Sequence, residues 1–334
     1  MKFVNNGPYI PAELIAAQER GEVLFLCGAG VSMTVGLPSF RQLAENTYKA
    51  LNETWVDHPA EASIMDADGA YAGQYDRAIR SLERRITLDG GLAAERQRLK
   101  LRSCITEQLK VTGRVNLDNH TALLTLSRNA FGQTRIVTTN FDTLFERAWL
   151  KHFADFPPSH SGSAMPQPGS PLFNGIFHLH GRISDNHKSL KLNETDIILS
   201  SSEFGEAYLR SGWAARYVYD LARTNIVVIV GYSAEDPPMR YLLEVLDADR
   251  SRFPDLRDIY AFAELNDKDP QGEIWNAKGI KPIIYEQRGT GDHSGCYDTL
   301  QEWKRYSDNP SHWRGKKLSK VIARDPSATN EVSV

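Results

Sequence analysis

The sequence is poor in cysteine, in long apolar runs and in net charge. Its three cysteines, Cys27, Cys104 and Cys296, lie far apart in 334 residues and form no C-x-x-C pair. This excludes a disulfide framework and a cysteine-cluster zinc site, so no metal is expected, and a reducing cytoplasm fits such usage best. The longest apolar stretches, Val23 to Val31 and Ile226 to Val230, fall far below the roughly 18 to 20 residues that span a bilayer. The opening MKFVNNGPYIPAEL has no long apolar segment behind a positive one, so the expectation is a cytoplasmic protein with neither secretory signal nor membrane contact. With 39 Lys plus Arg against 42 Asp plus Glu, the formal net charge is -3. That balance supplies no global field to attract nucleic acid or an anionic membrane.

What is present reads as an ordinary globular chain, 41% hydrophobic and 24% charged, long enough for one large α/β domain with appendages. Short β-rich apolar runs recur at Val23 to Cys27, Arg135 to Thr139, Ile176 to Leu179, Ile226 to Val230, Ile259 to Ala263 and Lys281 to Tyr285. Most are separated by helical patterns, which predicts a doubly wound, mainly parallel, Rossmann-like α/β sheet. Trp55 to Gly113 breaks the rhythm, because Tyr71 to Ile86 and Ala93 to Leu109 pattern as amphipathic helices with no strand between them. This is expected to be a helical insertion. The stretch FPPSHSGSAMPQPGSPLF, Phe156 to Phe173, is dense in Pro, Ser and Gly and is expected to be a loop without regular structure, lying over the active site. Residues 291–334 form a basic, aromatic extension; within it Gln301 to Asp325 carries seven Lys or Arg against three Asp or Glu, with Trp303, Tyr306 and Trp313 interleaved, and only the final PSATNEVSV reads as disordered.

Four motifs stand at strand ends, where open parallel sheets place ligand-binding groups. Gly28-Ala29-Gly30-Val31-Ser32 follows the first strand and precedes a helix, an arrangement that brings backbone N–H groups and a helix dipole to a phosphate. Met33 replaces the third glycine of a dinucleotide fingerprint, so the motif also fits a tight turn without ligand. Thr138-Thr139-Asn140-Phe141-Asp142 ends the second strand; Asn140 and Asp142 suit a site or the cap of a helix starting near Thr143. Phe177-His178-Leu179-His180-Gly181 ends a third. Two histidines without a nearby third ligand make a poor zinc site, whereas one histidine suits a general base. His178 is the better candidate for a core histidine satisfied by a carbonyl, and His180, beside the glycine, for function. Val230-Gly231-Tyr232-Ser233-Ala234-Glu235-Asp236 repeats the first geometry and leads into a helix over Met239 to Asp247.

In order and spacing these motifs resemble those of the sirtuin family, from Gly21 to about Tyr285. Gly28 to Ser32, with Gly36-Leu37-Pro38-Ser39-Phe40-Arg41 behind it, is similar to the family's glycine motif and cofactor-binding loop. Thr139-Asn140-Phe141-Asp142 resembles its Gln-Asn-x-Asp segment with Thr139 for the glutamine, His180-Gly181 its catalytic His-Gly, and Gly231-Tyr232-Ser233 its later Gly-x-Ser. Deacylating sirtuins carry two C-x-x-C pairs holding zinc, which this chain lacks. The resemblance is closer to the sirtuin-like effectors of bacterial antiphage defence, and it implies a catalytic domain over residues 1–290 that uses NAD as substrate and hydrolyses it in abortive infection. On that resemblance Asn140 orients ribose and water, His180 acts as base and Asp142 holds the nicotinamide end or the loop. Gly28, Ala29, Gly30, Ser32, Pro38, Phe40, Thr139, Gly231 and Ser233 bind the dinucleotide. A homo-oligomer and a separate regulatory protein, an ATPase or a nucleic-acid-guided sensor, are expected to restrain the activity. The basic tail would contact such a partner or nucleic acid, unless its tryptophans pack back on the core. The alternatives are an NAD- or ADP-ribose-binding regulatory module without turnover, and a protein deacylase.

Overall fold

In the computed structural model, residues 1–55, 74–153, 155–185, 190, 192–232, 243, 256–265, 272–287, 289 and 291–322 are described. Seven strands form a single sheet: β1 Val23–Cys27, β2 Arg135–Thr138, β3 Ser159–Ser161, β4 Gly175–His178, β5 Ile226–Val230, β6 Ile259–Glu264 and β7 Lys281–Tyr285. Their order is β3-β4-β2-β1-β5-β6-β7, and every pairing is parallel. The chain leaves β1 toward β2 and leaves β5 toward β6, so the strand order reverses between these two neighbours. In open α/β sheets that reversal opens a crevice at the carboxyl ends of the strands.

Strand residues alternate between two apolar layers, which is why the sheet needs helices on both faces. Phe25, Cys27, Ile136, Ile176, Val228 and Val230 point into one core, covered by α1 Ala12–Glu19, α6 Asp118–Leu126, α7 Leu144–Phe153 and α11 Ser294–Asp308. Leu24, Leu26, Val137, Phe177, Val227 and Ile229 point into the other. This second core includes Phe204, Tyr208 and Val218 from α8 Ser201–Phe204, its π-helical continuation Gly205–Arg210, and α9 Trp213–Thr224. The doubly wound α/β sheet expected from the sequence is the observed fold. The helices of the insertion, α4 Tyr75–Ile86 and α5 Gly91–Leu109, build a third cluster with α3 Phe40–Ala50 above Phe141, Ile183 and Ile197. They therefore overhang the carboxyl edge of the sheet.

One expectation needs correction, and one alternative left open for the tail is decided. The Pro-, Ser- and Gly-rich stretch contains regular structure, since β3 pairs with β4 over Ser159–Ile176 and Ser161–His178. Pro158 holds its end of the strand extended while its carbonyl accepts from the Ile176 N–H at 2.8 Å. Composition hid the strand because an edge strand bonds on one side and needs few apolar residues. The tail tryptophans are not free anchors. Trp303 is fully buried, stacked on Phe3 at 6.0 Å and edge-on to Phe25 at 6.1 Å, and Trp313 packs against Phe3 and Tyr306, each at 5.6 Å. Their apolar area gains more from the core than from water. Several tail cations are likewise paired: Lys304 with Asp308, Arg305 with Glu302, and Lys317 with the Phe3 carbonyl. Ser233, most of the helix expected over Met239 to Asp247, and the terminal PSATNEVSV lie outside the described residues.

Candidate active site

The carboxyl ends of β1, β2, β5, β6 and β7 open into a cavity of about 630 Å³. Of the residues singled out in the sequence, Ala29, Gly30, Ser32, Pro38, Phe40, Thr139, Asn140, Asp142, His180 and Gly231 line it, and Gly28 does not. The insertion contributes Tyr75, Asp76 and Leu109, and the far strands contribute Glu264, Tyr285 and the neighbouring His293.

The glycines have a reason that the motif did not reveal. A Cβ on Gly30 would stand 2.7 Å from the Gly231 Cα, and one on Gly28 would stand 2.5 Å from the Gly231 carbonyl oxygen. Gly231 has φ +66°, and its own Cβ would meet the Val31 nitrogen at 2.6 Å. The turns after β1 and β5 thus press backbone on backbone, which only glycine permits. The Gly30 N–H donates to Gly231 O at 2.8 Å and the Val31 N–H to Gly28 O at 3.1 Å. Both donors close the turn, so the Gly30 N–H, expected to reach a pyrophosphate, is already taken by the Gly231 carbonyl. Behind them the loop from Gly36 enters α3 through a reciprocal cap, with Ser39 Oγ accepting from the Gln42 N–H and Gln42 Oε1 from the Ser39 N–H. That cap sets Pro38 and Phe40 on the cavity rim.

Three buried side chains form one hydrogen-bonded unit. Asn140 Nδ2 donates to the Gly28 carbonyl at 3.0 Å and to Ser32 Oγ at 2.9 Å, and Ser32 Oγ donates to Asp142 Oδ2 at 2.7 Å. A carbonyl accepts only, so the amide orientation is fixed and Oδ1 is the polar atom Asn140 has left for a ligand. Asp142 Oδ1 caps α7 by accepting from the Leu144 N–H at 3.0 Å. Asp142 is therefore both helix cap and cavity-lining residue. Burial raises its pKa above the usual carboxylate range, against the opposing hydrogen bond from Ser32.

The two histidines stand in different settings. His178 is fully buried; its Nδ1–H donates to the Asn140 carbonyl at 3.0 Å, and its Nε2 meets Glu146 Oε1 at 2.8 Å. Burial would raise Glu146, but the charge and hydrogen bond of His178, with the bond from Ser159, outweigh it and lower its pKa. The pair thus holds the Asn140 backbone from behind. His180 reaches the cavity, 3% exposed, with Nε2 at 2.7 Å from the Tyr208 hydroxyl and the Phe204 ring edge-on at 5.0 Å. Burial lowers its pKa to about 3, so it sits there as neutral imidazole. Gly181, φ +87°, has to be glycine, because a Cβ there would strike the Asp196 carbonyl oxygen at 2.1 Å.

Glu146, Phe204 and Tyr208 escaped the sequence reading. Glu146 had a signal, a charge among the buried α7 residues Phe145, Ala148 and Trp149, which requires a partner. Tyr208 had a weaker one, Gly205 inside a helical pattern, where the helix becomes π-helical as helices often do at functional sites. At the cavity's other end Tyr285 OH and His293 Nδ1 lie 2.8 Å apart, with Glu264 Oε2 at 4.0 Å from the same nitrogen. These groups belong to no motif and meet only through the β6–β7 pairing. Among the described residues no group of three or more His, Cys, Asp or Glu is arranged to hold a metal, and no helix is long and apolar enough to cross a membrane.

Comparison with known proteins bears on part of the region that holds the motifs. Over 336 aligned residues the chain is 37% identical to the uncharacterized protein y4cA of Sinorhizobium fredii (strain NBRC 101917 / NGR234), covering 99% of this chain and 26% of that protein. The chain therefore spans about a quarter of the length of the curated relative it matches. Among solved structures it is similar to a Sir2 homologue in complex with NAD, at 15% identity and a TM-score of 0.45, covering 92% of this chain and 97% of the other. A second Sir2 enzyme structure aligns at 16% identity and a TM-score of 0.39, over 90% and 100% of the two chains. Residues 134–283, which hold β2 to the middle of β7 and with them Asn140, Asp142, His180 and Gly231, match the SIR2-like domain.

Proposed function

We propose that this protein is an NAD glycohydrolase, cleaving NAD to nicotinamide and ADP-ribose. The observation that carries the reading is the convergence of Asn140, Ser32, Asp142 and His180 on one cavity at the switch point of the sheet. The nicotinamide–ribose bond has a cationic leaving group, so its cleavage needs orientation and a water nucleophile more than strong acid. Asn140 Oδ1 accepts from the attacking water or a ribose hydroxyl. As the C1′–N bond breaks, its electron pair leaves with nicotinamide; water oxygen bonds to C1′ and the water proton passes to His180 and then to solvent. Asp142 steadies the end where positive charge develops, and Glu264, Tyr285 and His293 offer polar contacts to the distal nucleoside.

The resemblance to sirtuin-like antiphage effectors supports a role in abortive infection, in the cytoplasm, with turnover restrained by a homo-oligomer and a separate partner such as an ATPase or nucleic-acid-guided sensor. One observation favours a second reading, binding of NAD or ADP-ribose without turnover: His180 is held with a pKa of about 3, which makes a weak base. Incubation of the purified protein with NAD, followed by chromatography, separates the readings. Nicotinamide plus ADP-ribose supports hydrolysis; calorimetric binding without products supports the binding module; turnover only with an acyl peptide supports deacylation. Absence of nicotinamide release from both the isolated chain and its assembled complex sinks the proposal.

A further inference from the structure

His180 lies in a built setting, and its partner decides what it can do. Its Nε2 is engaged by the Tyr208 hydroxyl at 2.7 Å. Nδ1 has no partner among the described residues, yet it is not sealed off as both ring nitrogens of buried His120 are. Nδ1 is thus the ring nitrogen that a cavity ligand can reach. The imidazole is held from the same distorted helix by Phe204, at 90° and 5.0 Å, and by the Tyr208 ring at 73° and 5.8 Å. That helix is itself anchored at its start. Glu203 Oε2 accepts from the Leu199 and Ser200 N–H groups at 2.9 and 2.8 Å, and Oε1 accepts from Arg102 of α5 at 2.6 Å.

Neutral imidazole carries one proton, and the nitrogen that holds it sets the other's role. Were Tyr208 to donate to Nε2, the proton would sit on Nδ1 and the cavity would face a donor only. We infer that Tyr208 is the positioning residue of the site, accepting the Nε2–H of His180 and so keeping the Nδ1 lone pair toward the cavity. This rests on the NAD-cleaving reading, in which Nδ1 takes the proton of the attacking water and Tyr208 continues to accept from the resulting imidazolium.

The test uses the full chain labelled with ¹⁵N, with the His180 ring nitrogens assigned by comparison with His180→Ala, and nicotinamide release from NAD measured in parallel. The expected wild-type spectrum shows Nε2 protonated and Nδ1 bare. Tyr208→Phe is expected to mix the tautomers and to lower kcat about tenfold to a hundredfold, less than loss of the base itself, at unchanged KM and melting temperature. A wild-type ring protonated on Nδ1 overturns the inference, and so does a Tyr208→Phe protein with wild-type tautomer and kcat. The wild-type spectrum alone decides the tautomer should the variant fold poorly. Because that spectrum is recorded without NAD, a protein that releases no nicotinamide refutes the proposed function separately, while the tautomer still decides the role of Tyr208.

Discussion

The two ends of the cavity are built differently. At the β1–β2–β4 end, Ser32, Asn140, Asp142 and His180 are all buried, and each is bonded to another protein group. At the β6–β7 end, His293 and Glu264 are partly exposed and 4.0 Å apart, and Tyr285 and His293 make a close bond. A network that is satisfied before any ligand arrives fixes geometry, which is what bond cleavage requires. A loose, solvated pair contributes little by itself and adapts to whatever binds. Under the proposed function, the contrast places chemistry at the first end and affinity at the second.

The largest effect expected from breaking this contrast is on turnover. His180→Ala should lower nicotinamide release about 10²- to 10⁴-fold in folded protein, measured in single-turnover assays. An unchanged rate removes His180 as base, and a larger loss in folded His178→Ala shows that the other histidine has the role. Asn140→Ala tests the same end and should abolish turnover with the fold kept.

Next is the stability of the supporting pair. Glu146→Ala strips a fully buried His178 of its partner and should cost about 3–5 kcal/mol in urea unfolding, the usual penalty for an uncompensated buried charge. A cost near zero would mean that the pair does not hold the site.

Acid should loosen this buried side of the molecule as well. His180 and His120 are both pushed to about 3 by burial. Between that value and the ordinary 6.5, the unfolded chain binds the protons that the fold refuses, so stability rises with pH through this window. Each group adds about 1.4 kcal/mol per pH unit. Glu146, lowered, acts in the same direction as its folded pKa is crossed; Asp142, raised, acts in the opposite one. Urea midpoints at pH 4.5, 5.5 and 6.5 should climb. His120→Leu should flatten the climb, and a slope unchanged by that variant would acquit His120.

The smallest effect belongs to the other end. Glu264→Ala should raise KM for NAD about two- to tenfold with kcat held, the value of about one hydrogen bond of 0.5–1.5 kcal/mol. A fall in kcat instead would mean that the two ends are not separable.

Much of the frame was legible in the chain. Val23–Cys27 and Ile226–Val230 are strands with the bounds that their apolar runs suggested, because a strand buried on both faces must be apolar throughout, and the edge strand Lys281–Tyr285 has the expected bounds as well. Asn140 and His180 were visible because polar residues at the carboxyl ends of such strands have a restricted set of uses. Tyr208 and Glu146 were not identified as site residues, since each matters through a side chain distant in sequence. The short β3 was hidden by composition.

The sequence by itself determined six of the seven strands seen among the described residues and, to within a residue, where each of them stops, since periodicity, glycine placement and apolar content act locally. Only the tertiary structure decided what the stops do. Gly28, Gly30 and Gly231 are glycines because two turns from distant parts of the chain collide there. Trp303 belongs to the core because Phe3 and Phe25 wait for it across the whole length of the fold. Asn140 shows a ligand its oxygen because Gly28 and Ser32 take its N–H groups. Such assignments depend on which surfaces close on each other, and hydrogen-bond partners are chosen by proximity in space.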